Sequence, residues 1–455
     1  MTKYCLQIFF AFAVLQLNYG QSETLRLNIT DAQNHALENN RMVRSSKIDL
    51  AIANGKIREN LATGLPQLNI NANYLHQFTV PEVSFGPFFD TEALPSGPVT
   101  GEDIRNAFKE SPKIPLGVMD NTVIDFTLSQ LVFNGEYFVA LKTAKIVREM
   151  SEKSINKTED QVRKDVEVSY YSILVLQESI RLLKENEEAL NQMYEETAGL
   201  NRQGLNEETD VDQVNINRSN VHALVTSMES QLDIAFKQLK YLLGVDFSQQ
   251  VELTDSLNVF IEDRNLDYLS QSEFNLQNSL DYQIINIQEN VNEQLLKLEK
   301  AKYLPTISAF YRHEEQTNQP AFNFAVKDVI GATLSLPIIA GGQRSSRVSQ
   351  AKLDLQKTRL NKESSGQGLT MEYETARNNY STAYSNFLVN RESMNLSKKI
   401  YDRTIIKFRE GVSSSFELTQ MQNQFLTSES NYYNSLLSLL RSKAELDRIL
   451  RINHQ

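Results

Sequence analysis

The chain has 455 residues, a formal net charge of −11 at pH 7 and one cysteine, Cys5. An acidic chain without a basic block lacks the cations that contact phosphates, so we expect no nucleic-acid partner. Because the only thiol lies so close to the amino terminus, the remaining chain can form neither a disulfide nor a thiolate metal site.

The first twenty residues have the pattern of a secretory signal peptide. Lys3 supplies the charged start, and residues 8–15 form an unbroken apolar run of the usual length for such a signal. The run is too short to cross a bilayer as a helix, which needs about 20 apolar residues. We therefore predict a signal peptide at residues 1–20, followed by an exported chain.

The prolines divide the rest of the chain. All 10 lie either between Pro66 and Pro115 or between Pro305 and Pro337. Proline interrupts helices, so the long proline-free tracts are free to form very long ones. Apolar residues recur there at helical spacing, for example at Val166, which supports this interpretation.

The two proline-containing regions instead predict strands. In residues 66–80 and 122–134, apolar side chains alternate with polar ones, the period of a strand with one apolar face. Between them, residues 76–121 are rich in Pro, Gly and Phe and predict a long loop. The second region repeats the alternation at about residues 304–313 and 324–338.

Several short motifs occur once in each half of the chain. Arg202-Gln203-Gly204-Leu205 returns as Arg409-Glu410-Gly411-Val412, and Leu65-Pro66 returns as Leu304-Pro305. Ordered agreement between two halves indicates an internal duplication. We predict a first repeat at residues 21–244 with a helical hairpin at 136–243, a linker at 245–265, and a second repeat at 266–455 with a hairpin at 342–451.

Each hairpin reverses at a glycine. Gly204 and Gly411 supply the positive φ that ends one helix. In the first hairpin, Thr209 or Asp210 follows closely and offers an N-cap oxygen to the returning helix. The glycine and the residues after it are therefore predicted to form the tip of each hairpin.

Four strands of this length suit either a soluble sheet or a membrane barrel. Each can cross a bilayer as a tilted strand, but closing a barrel needs about eight strands. Lipid does not tolerate an open sheet edge, since no water satisfies its amides. If these strands span a membrane, several chains must share one barrel, with Leu68, Ile70, Phe126 and Leu128 facing lipid. The predicted lumen residues are Asn69, Asn71, Asn73, Asp125, Thr127, Thr306, Ser308, Arg312, Thr333 and Ser335.

With its signal, helices, strand pair and long hairpin, and the whole arrangement repeated, the chain resembles the TolC family of outer-membrane efflux channels. The resemblance covers essentially all of the exported chain. Its motifs include Ala36-Leu37-Glu38-Asn39-Asn40 near the start, the two Leu-Pro pairs, and Pro337 followed by Gly341-Gly342-Gln343-Arg344. The second tip departs from the family pattern, with Val412 and Glu417 where Thr and Asp are common.

This resemblance implies a mainly α fold with transmembrane β-strands. Three identical chains would form a twelve-stranded barrel in the outer membrane of a Gram-negative bacterium, in contact with its lipid and continuous with a helical tunnel through the periplasm. The tips would meet a periplasmic adaptor linked to an inner-membrane pump, and export through the duct would be passive. The tip residues implied to dock are Arg202, Gly204, Leu205, Thr209, Asp210, Val211, Arg409, Gly411, Val412, Glu417 and Leu418.

Two other classes of function compete with this interpretation. For an enzyme, the 5 histidines are scattered without metal spacing, His35 and Glu38 form an isolated HxxE best explained by a solvated helix, and no phosphate loop or nucleophile elbow is present. We expect no catalytic residue, metal or cofactor. A periplasmic coiled-coil scaffold without a channel is the alternative. It explains the helices, but not the alternating strands or their repetition.

Overall fold

The computed structural model describes residues 24–84, 86–109, 113–261, 273–319, 323 and 325–451. The predicted signal peptide and the last part of the predicted linker lie outside these residues. Long helices dominate. The helices are α1 (Ile29–Asn39), α2 (Arg41–Ala62), α3 (Gly101–Ala107), α4 (Gly135–Arg202), α5 (Glu208–Leu243), α6 (Leu257–Ile261), α7 (Leu280–Ala301), α8 (Gln343–Arg409) and α9 (Ser415–Leu450).

The strands are fewer and mostly short. They are β1 (Leu25–Leu27), β2 (Gln67–His76), β3 (Glu82–Val83), β4 (Phe88–Phe89), β5 (Phe108–Lys109), β6 (Ile114–Pro115), β7 (Asp120–Asn134), β8 (Val251–Leu253), β9 (Thr306–Gln316) and β10 (Asp328–Ser335). No helix within the described ranges combines the length and the apolar character that crossing a bilayer requires.

The fold is duplicated, and the helix lengths show this directly. Helices α2 and α7 each have 22 residues, and α5 and α9 each have 36. The long outgoing helices α4 and α8 have 68 and 67 residues. Both α4 and α8 are uninterrupted, as the absence of proline from their sequences allows.

The predicted strand ends need correction. β2 ends at His76 rather than near residue 80, and Pro81 has no N–H to continue a ladder. β10 ends at Ser335, two residues before Pro337, for the same reason. In contrast, β9 runs three residues beyond its predicted end to Gln316, because it pairs with the long strand β7 as well as with β10.

The region predicted as a long loop has structure of its own. Between β2 and β7 the chain forms two short antiparallel pairs, β3 with β6 and β4 with β5. Helix α3 lies inside this insertion and begins with a capping box, in which Thr100 Oγ1 accepts from the Asp103 N–H and Asp103 Oδ2 accepts from the Thr100 N–H. The prediction missed these elements because they are too short to show a period.

The predicted linker is also partly structured. β8 lies within it and forms a parallel pair with β1, so that Leu25, Arg26 and Leu27 lie opposite Val251, Glu252 and Leu253. Helix α6 follows directly. Residues 25–27 are thereby paired with the segment that connects the two repeats. The periodicity of the sequence does not predict this pairing.

By its contacts the chain divides into two compact units. The helical unit comprises residues up to 52, 148–289 and 357 onwards, and it contains the main core. Tyr170, Tyr171, Tyr373 and Tyr380 are buried in this core and Tyr384 packs against it. These tyrosines are packing residues of the helical unit.

The Asn39-Asn40 pair has a structural role in the helical unit. Asn40 is buried between α1 and α2; its Nδ2 donates to the Leu242 carbonyl at 2.7 Å and its Oδ1 accepts from the Met42 N–H at 2.8 Å. The C-cap of α5, Gly244, has φ 73°, and a Cβ there would lie 2.4 Å from the Asn39 carbonyl oxygen. Only glycine fits this contact.

Candidate channel wall and docking tips

The second compact unit comprises residues 53–147 and 290–356. It contains one four-stranded sheet, which holds all the predicted lumen residues. The strand order is β10–β9–β7–β2, and every neighbouring pair is antiparallel. In one row Asn69, Thr127 and Arg312 lie side by side, and in the next Asn71, Asp125 and Glu314 do so. Directly paired residues point to the same side of a sheet.

The register places all ten predicted lumen residues on one face. Thr333 pairs with Ser308 and Ser335 with Thr306, in phase with Arg312 further along β9. Asn73, beyond Asn71 on β2, keeps the same phase. The resulting face is polar and carries amide, hydroxyl and charged groups, which suits contact with water.

The opposite face is apolar and solvent-exposed in the single chain. One row consists of Leu68, Leu128, Tyr311 and Ile330, contributed by all four strands. Leu68 is 65% exposed and Ile330 is 84% exposed. An exposed apolar row across a whole sheet indicates a surface that another apolar medium or molecule covers.

Both edges of this sheet are open. Among the described residues, β2 and β10 each pair with only one neighbour, so each leaves one side of its backbone without a partner strand. Open edges of this length are ready to pair with further strands.

Sequence reasoning missed a duplicated cluster at the far ends of the strands. Tyr74 O–H donates to Asp120 Oδ1 at 2.6 Å, and His76 Nδ1 lies 2.7 Å from the same oxygen. In the second hairpin Tyr311, His313 and Asp328 repeat this arrangement at 2.6 Å and 2.8 Å. The repeated Tyr-x-His spacing in β2 and β9 was the available signal.

These clusters do not make a metal site. No group of three or more His, Cys, Asp or Glu side chains suited to a metal ion occurs among the residues that the structure describes. Each cluster instead links the two strands of one hairpin through hydrogen bonds from Tyr and His to a shared Asp. The clusters lie on the same face as the apolar row, at the end of the strands where polar side chains replace apolar ones.

The helical unit carries both hairpin tips, and they have the same backbone geometry. Gly204 and Gly411 have φ 74° and 71°. The Leu205 N–H donates to the Leu200 carbonyl and the Val412 N–H to the Lys407 carbonyl, as in a Schellman motif. Glycine thus ends α4 and α8 as predicted.

The predicted N-cap of the first tip is wrong. Helix α5 begins at Glu208 with Glu207 as N-cap, and no side chain caps it. Thr209 lies inside the first turn, where its Oγ1 donates to Glu207 Oε2 at 3.2 Å. In the second tip Ser414 caps α9 by accepting from the Glu417 N–H.

The predicted tip residues differ in accessibility. Leu205 is 66% exposed and Val412 is 76% exposed, and Arg202, Thr209, Arg409 and Glu417 are also exposed. Asp210 and Val211 are half-buried, whereas Leu418 is 1% exposed and belongs to a core cluster with Met193 and Val214. Leu418 therefore supports the tip from inside.

The two hairpins contact each other close to their tips. Arg409 Nε, at the end of α8, lies 3.1 Å from Glu196 Oε2 on α4. Further along, Asn217 Nδ2 on α5 donates to Thr419 Oγ1 on α9 at 2.8 Å. Sequence reasoning did not include Phe416, which is strongly exposed in the first turn of α9 beside Val412. Two apolar tips thus lie near each other at one end of the unit.

An exposed apolar sheet with open edges, together with long paired hairpins, defines a membrane channel subunit with a helical extension. Residues 32–245 and 274–450 match the family described as outer membrane efflux protein, and the chain belongs to this family. None of the curated proteins compared with the chain matches it significantly in sequence.

Solved structures support the same fold. CusC is 14% identical, with 94% of this chain and 93% of CusC covered and a TM-score of 0.70. The CmeC outer membrane channel of Campylobacter jejuni is 16% identical over 93% of this chain and 85% of its own, with a TM-score of 0.69. The open state of the MtrE outer membrane channel of Neisseria gonorrhoeae is 14% identical over 93% and 88%, with a TM-score of 0.65.

The family assignment confirms the predicted TolC-like fold and function. The chain is an outer-membrane efflux channel protein. The family is described as outer membrane efflux proteins, and two of the solved structures that the chain resembles are described as outer membrane channels. The alternative of a periplasmic scaffold without a channel has no support.

Proposed function

We propose that three copies of this chain share one twelve-stranded barrel, whose polar sheet face lines a water-filled exit duct. The observation that carries this proposal is the four-stranded sheet with one exposed apolar face and two open edges. In a bilayer the backbone groups of both edges need partners, and a second copy offers the complementary edge. In this arrangement β2 of one chain pairs with β10 of the next.

The same arrangement assigns the two sheet faces. The apolar row from Leu68 to Ile330 faces lipid, and the row of Asn69, Thr127 and Arg312 faces the lumen. The acidic row with Asp125 and Glu314 lies beside it and gives the wall a local negative charge. In this arrangement conduction along the polar wall is passive.

We further propose that the hairpin tips dock a periplasmic adaptor, which connects the duct to an inner-membrane pump. Leu205 and Val412 carry this proposal, because both are exposed apolar side chains on rigid glycine turns at the end of a helical scaffold. Turns held by a rigid scaffold are well placed for binding. Arg202, Arg409 and Glu417 surround them with charges that can orient a partner.

Strand pairing between copies can be tested by disulfide trapping. The exported chain has no cysteine of its own, so we combine Asn69→Cys on β2 with a cysteine at position 329, 331, 333 or 335 on β10. We expect one of these pairs to give a three-chain product on a non-reducing gel. Ser308→Cys on β9, which is paired on both sides within its own chain, is the matched control.

The mass of the extracted protein gives an independent measurement. Protein extracted in mild detergent should have a mass near three chains. A folded, monodisperse monomer that forms no disulfide between β2 and β10 would contradict the shared barrel.

A further inference from the structure

A carboxylic acid is buried in the helical unit where the fold does not need one. Glu429 in α9 is 3% exposed, and its Oε1 has no hydrogen-bond partner among the described residues. The equal lengths of α5 and α9 make His222 the corresponding residue of the first repeat. His222 is exposed and contacts Glu187, so the duplicated fold does not require a buried acid at this position.

Glu429 lies close to an aromatic ring and to the ammonium group of a lysine. Lys398 on α8 is the charged group that favours the ionised carboxylate. Its Nζ lies 5.7 Å from the centre of the Phe425 ring, one turn from Glu429, and 3.7 Å from Asp402 Oδ2 at the surface. Lys398 therefore pairs with the exposed carboxylate of Asp402, while the buried carboxyl group of Glu429 is an alternative partner nearby.

Further titratable groups lie near Glu429, both on α9 itself and on the helices that pack against it. Tyr432 and Tyr433 follow Glu429 on α9, and burial, with the neighbouring carboxylates of Glu178 and Glu429, raises the pKa of Tyr433. The charged and titratable groups around the site are Glu178 and Arg181 on α4, Arg391, Lys398 and Asp402 on α8, and Tyr432 and Tyr433 on α9. Arg181 is held by Glu178 and Glu185, which leaves Lys398 as the cation best placed to respond to Glu429.

The same helices contain other incompletely bonded polar groups. Asn186 Nδ2 on α4 and Gln422 Oε1 on α9 are buried without a hydrogen-bond partner among the described residues. Tyr401 O–H on α8 donates to Asn186 Oδ1 at 3.1 Å and its ring stacks on Phe425 at 5.5 Å. Unpaired buried polar groups weaken packing, so α4, α8 and α9 meet here through a layer that is less firmly held than the apolar core.

We propose that Glu429 is a proton-controlled latch between α8 and α9. In the neutral state the carboxyl group stays buried and α9 packs closely against α8. When the proton leaves, Lys398 moves from Asp402 towards the buried carboxylate, water follows, and the packing of α9 on α8 loosens. The tip of this hairpin lies at the start of α9, so its position changes with the latch.

The direction of the pH effect follows from the burial of the acid. Burial raises the pKa of Glu429 to about 7, well above its ordinary value of 4.5. An acid with a raised pKa in the packed state stabilises packing at low pH, and this contribution is lost as the pH rises through about 7. The latch is therefore closed in acid and opens as the surroundings become alkaline.

Hydrogen exchange of the full-length trimer tests the latch without relying on transport. Amide exchange of α9, corrected for the intrinsic effect of pH, should increase severalfold as the pH rises through the pKa of Glu429 in the wild type. Glu429→Gln keeps the shape but cannot ionise, and should remove this increase. Glu392→Gln, which changes an exposed acid on α8, is the matched control and should behave as the wild type.

Two charge variants that keep Glu429 make the test independent of how Glu429→Gln folds. Lys398→Met removes the cation and should move the midpoint to higher pH, whereas Asp402→Asn frees Lys398 and should move it to lower pH. Infrared difference spectra of the carboxyl group report the same midpoints. A wild type without a pH-dependent change in α9, or an equal change in Glu429→Gln, would overturn the proposal. Any effect of the latch on conduction rests on the proposed duct. Hydrogen exchange tests the latch alone, so a failure of the latch can be distinguished from a failure of the duct.

Discussion

Replacing Leu128 by arginine tests which face of the sheet meets lipid. Leu128 lies on β7 between Leu68 of β2 and Tyr311 of β9, in the apolar row that ends at Ile330. An arginine near the bilayer midplane on a lipid-facing strand costs about 2–4 kcal/mol. At 1.4 kcal/mol for each factor of ten, Leu128→Arg should lower the equilibrium constant for folding by about 30-fold to 700-fold.

The control must carry the same charge on the other face. Thr127 is adjacent in sequence, but it lies opposite Arg312, so Thr127→Arg would add repulsion between like charges. Asn71 is better matched, because its neighbour across the ladder is Asp125, followed by Glu314 in the same row. Asn71→Arg should therefore be tolerated in assembly while altering ion conductance.

Urea-dependent folding into lipid vesicles measures the difference, with the amount of trimer in isolated outer membranes as a second readout. We expect Leu128→Arg to lose most of its trimer and Asn71→Arg to retain it. If the two variants lose stability equally, or if Asn71→Arg is the weaker one, the assignment of sheet faces is refuted, although the strand pairing itself would stand.

Three further predictions concern the tips, the strand ends and the helix junction. Leu205→Asp combined with Val412→Asp should still assemble as a trimer in the outer membrane but lose export and crosslinking to the adaptor; normal drug resistance or secretion would contradict docking through these residues. Tyr74→Phe with Tyr311→Phe removes two hydrogen bonds to Asp120 and Asp328 and should lower the temperature at which the trimer dissociates on a gel, unlike Tyr241→Phe on α5. Asn40→Ala leaves the Leu242 carbonyl unpaired and should cost about 1–3 kcal/mol in urea unfolding, whereas Asn34→Ala, on the exposed side of α1, should be near neutral.

The sequence predicted the parts of this protein that repeat with a period. The two helical hairpins were placed within a residue or two because proline is absent from them and glycine ends each outgoing helix. The strand phase was predictable because alternation in β2 and β7 leaves one polar face whatever the register. Helix breaks and strand alternation both depend on residues that are close together in the sequence, so a single sequence is sufficient to detect them.

Features that depend on contacts distant in sequence were not predictable. The parallel pair of β1 with β8 joins segments of three residues each, too short for any period. Leu418 has the same spacing from its glycine as Val211 in the first tip, yet it is buried because α9 packs against Met193 of α4 and Val214 of α5. Likewise Asp120 and Asp328 join their Tyr and His partners only through strand pairing.

The duplication also hides a difference between the tips. Gly204 and Gly411 create the same turn, but Phe416 is exposed beside Val412 in the second tip where the first has Thr209. The second tip is therefore more apolar, and its helix α9 is capped by Ser414 whereas α5 has no side-chain cap. Six tips in a trimer would then alternate between two kinds of surface. Because hydrophobic contact energy grows with the apolar area removed from water, an adaptor that uses both kinds should depend more on Val412 and Phe416 than on Leu205.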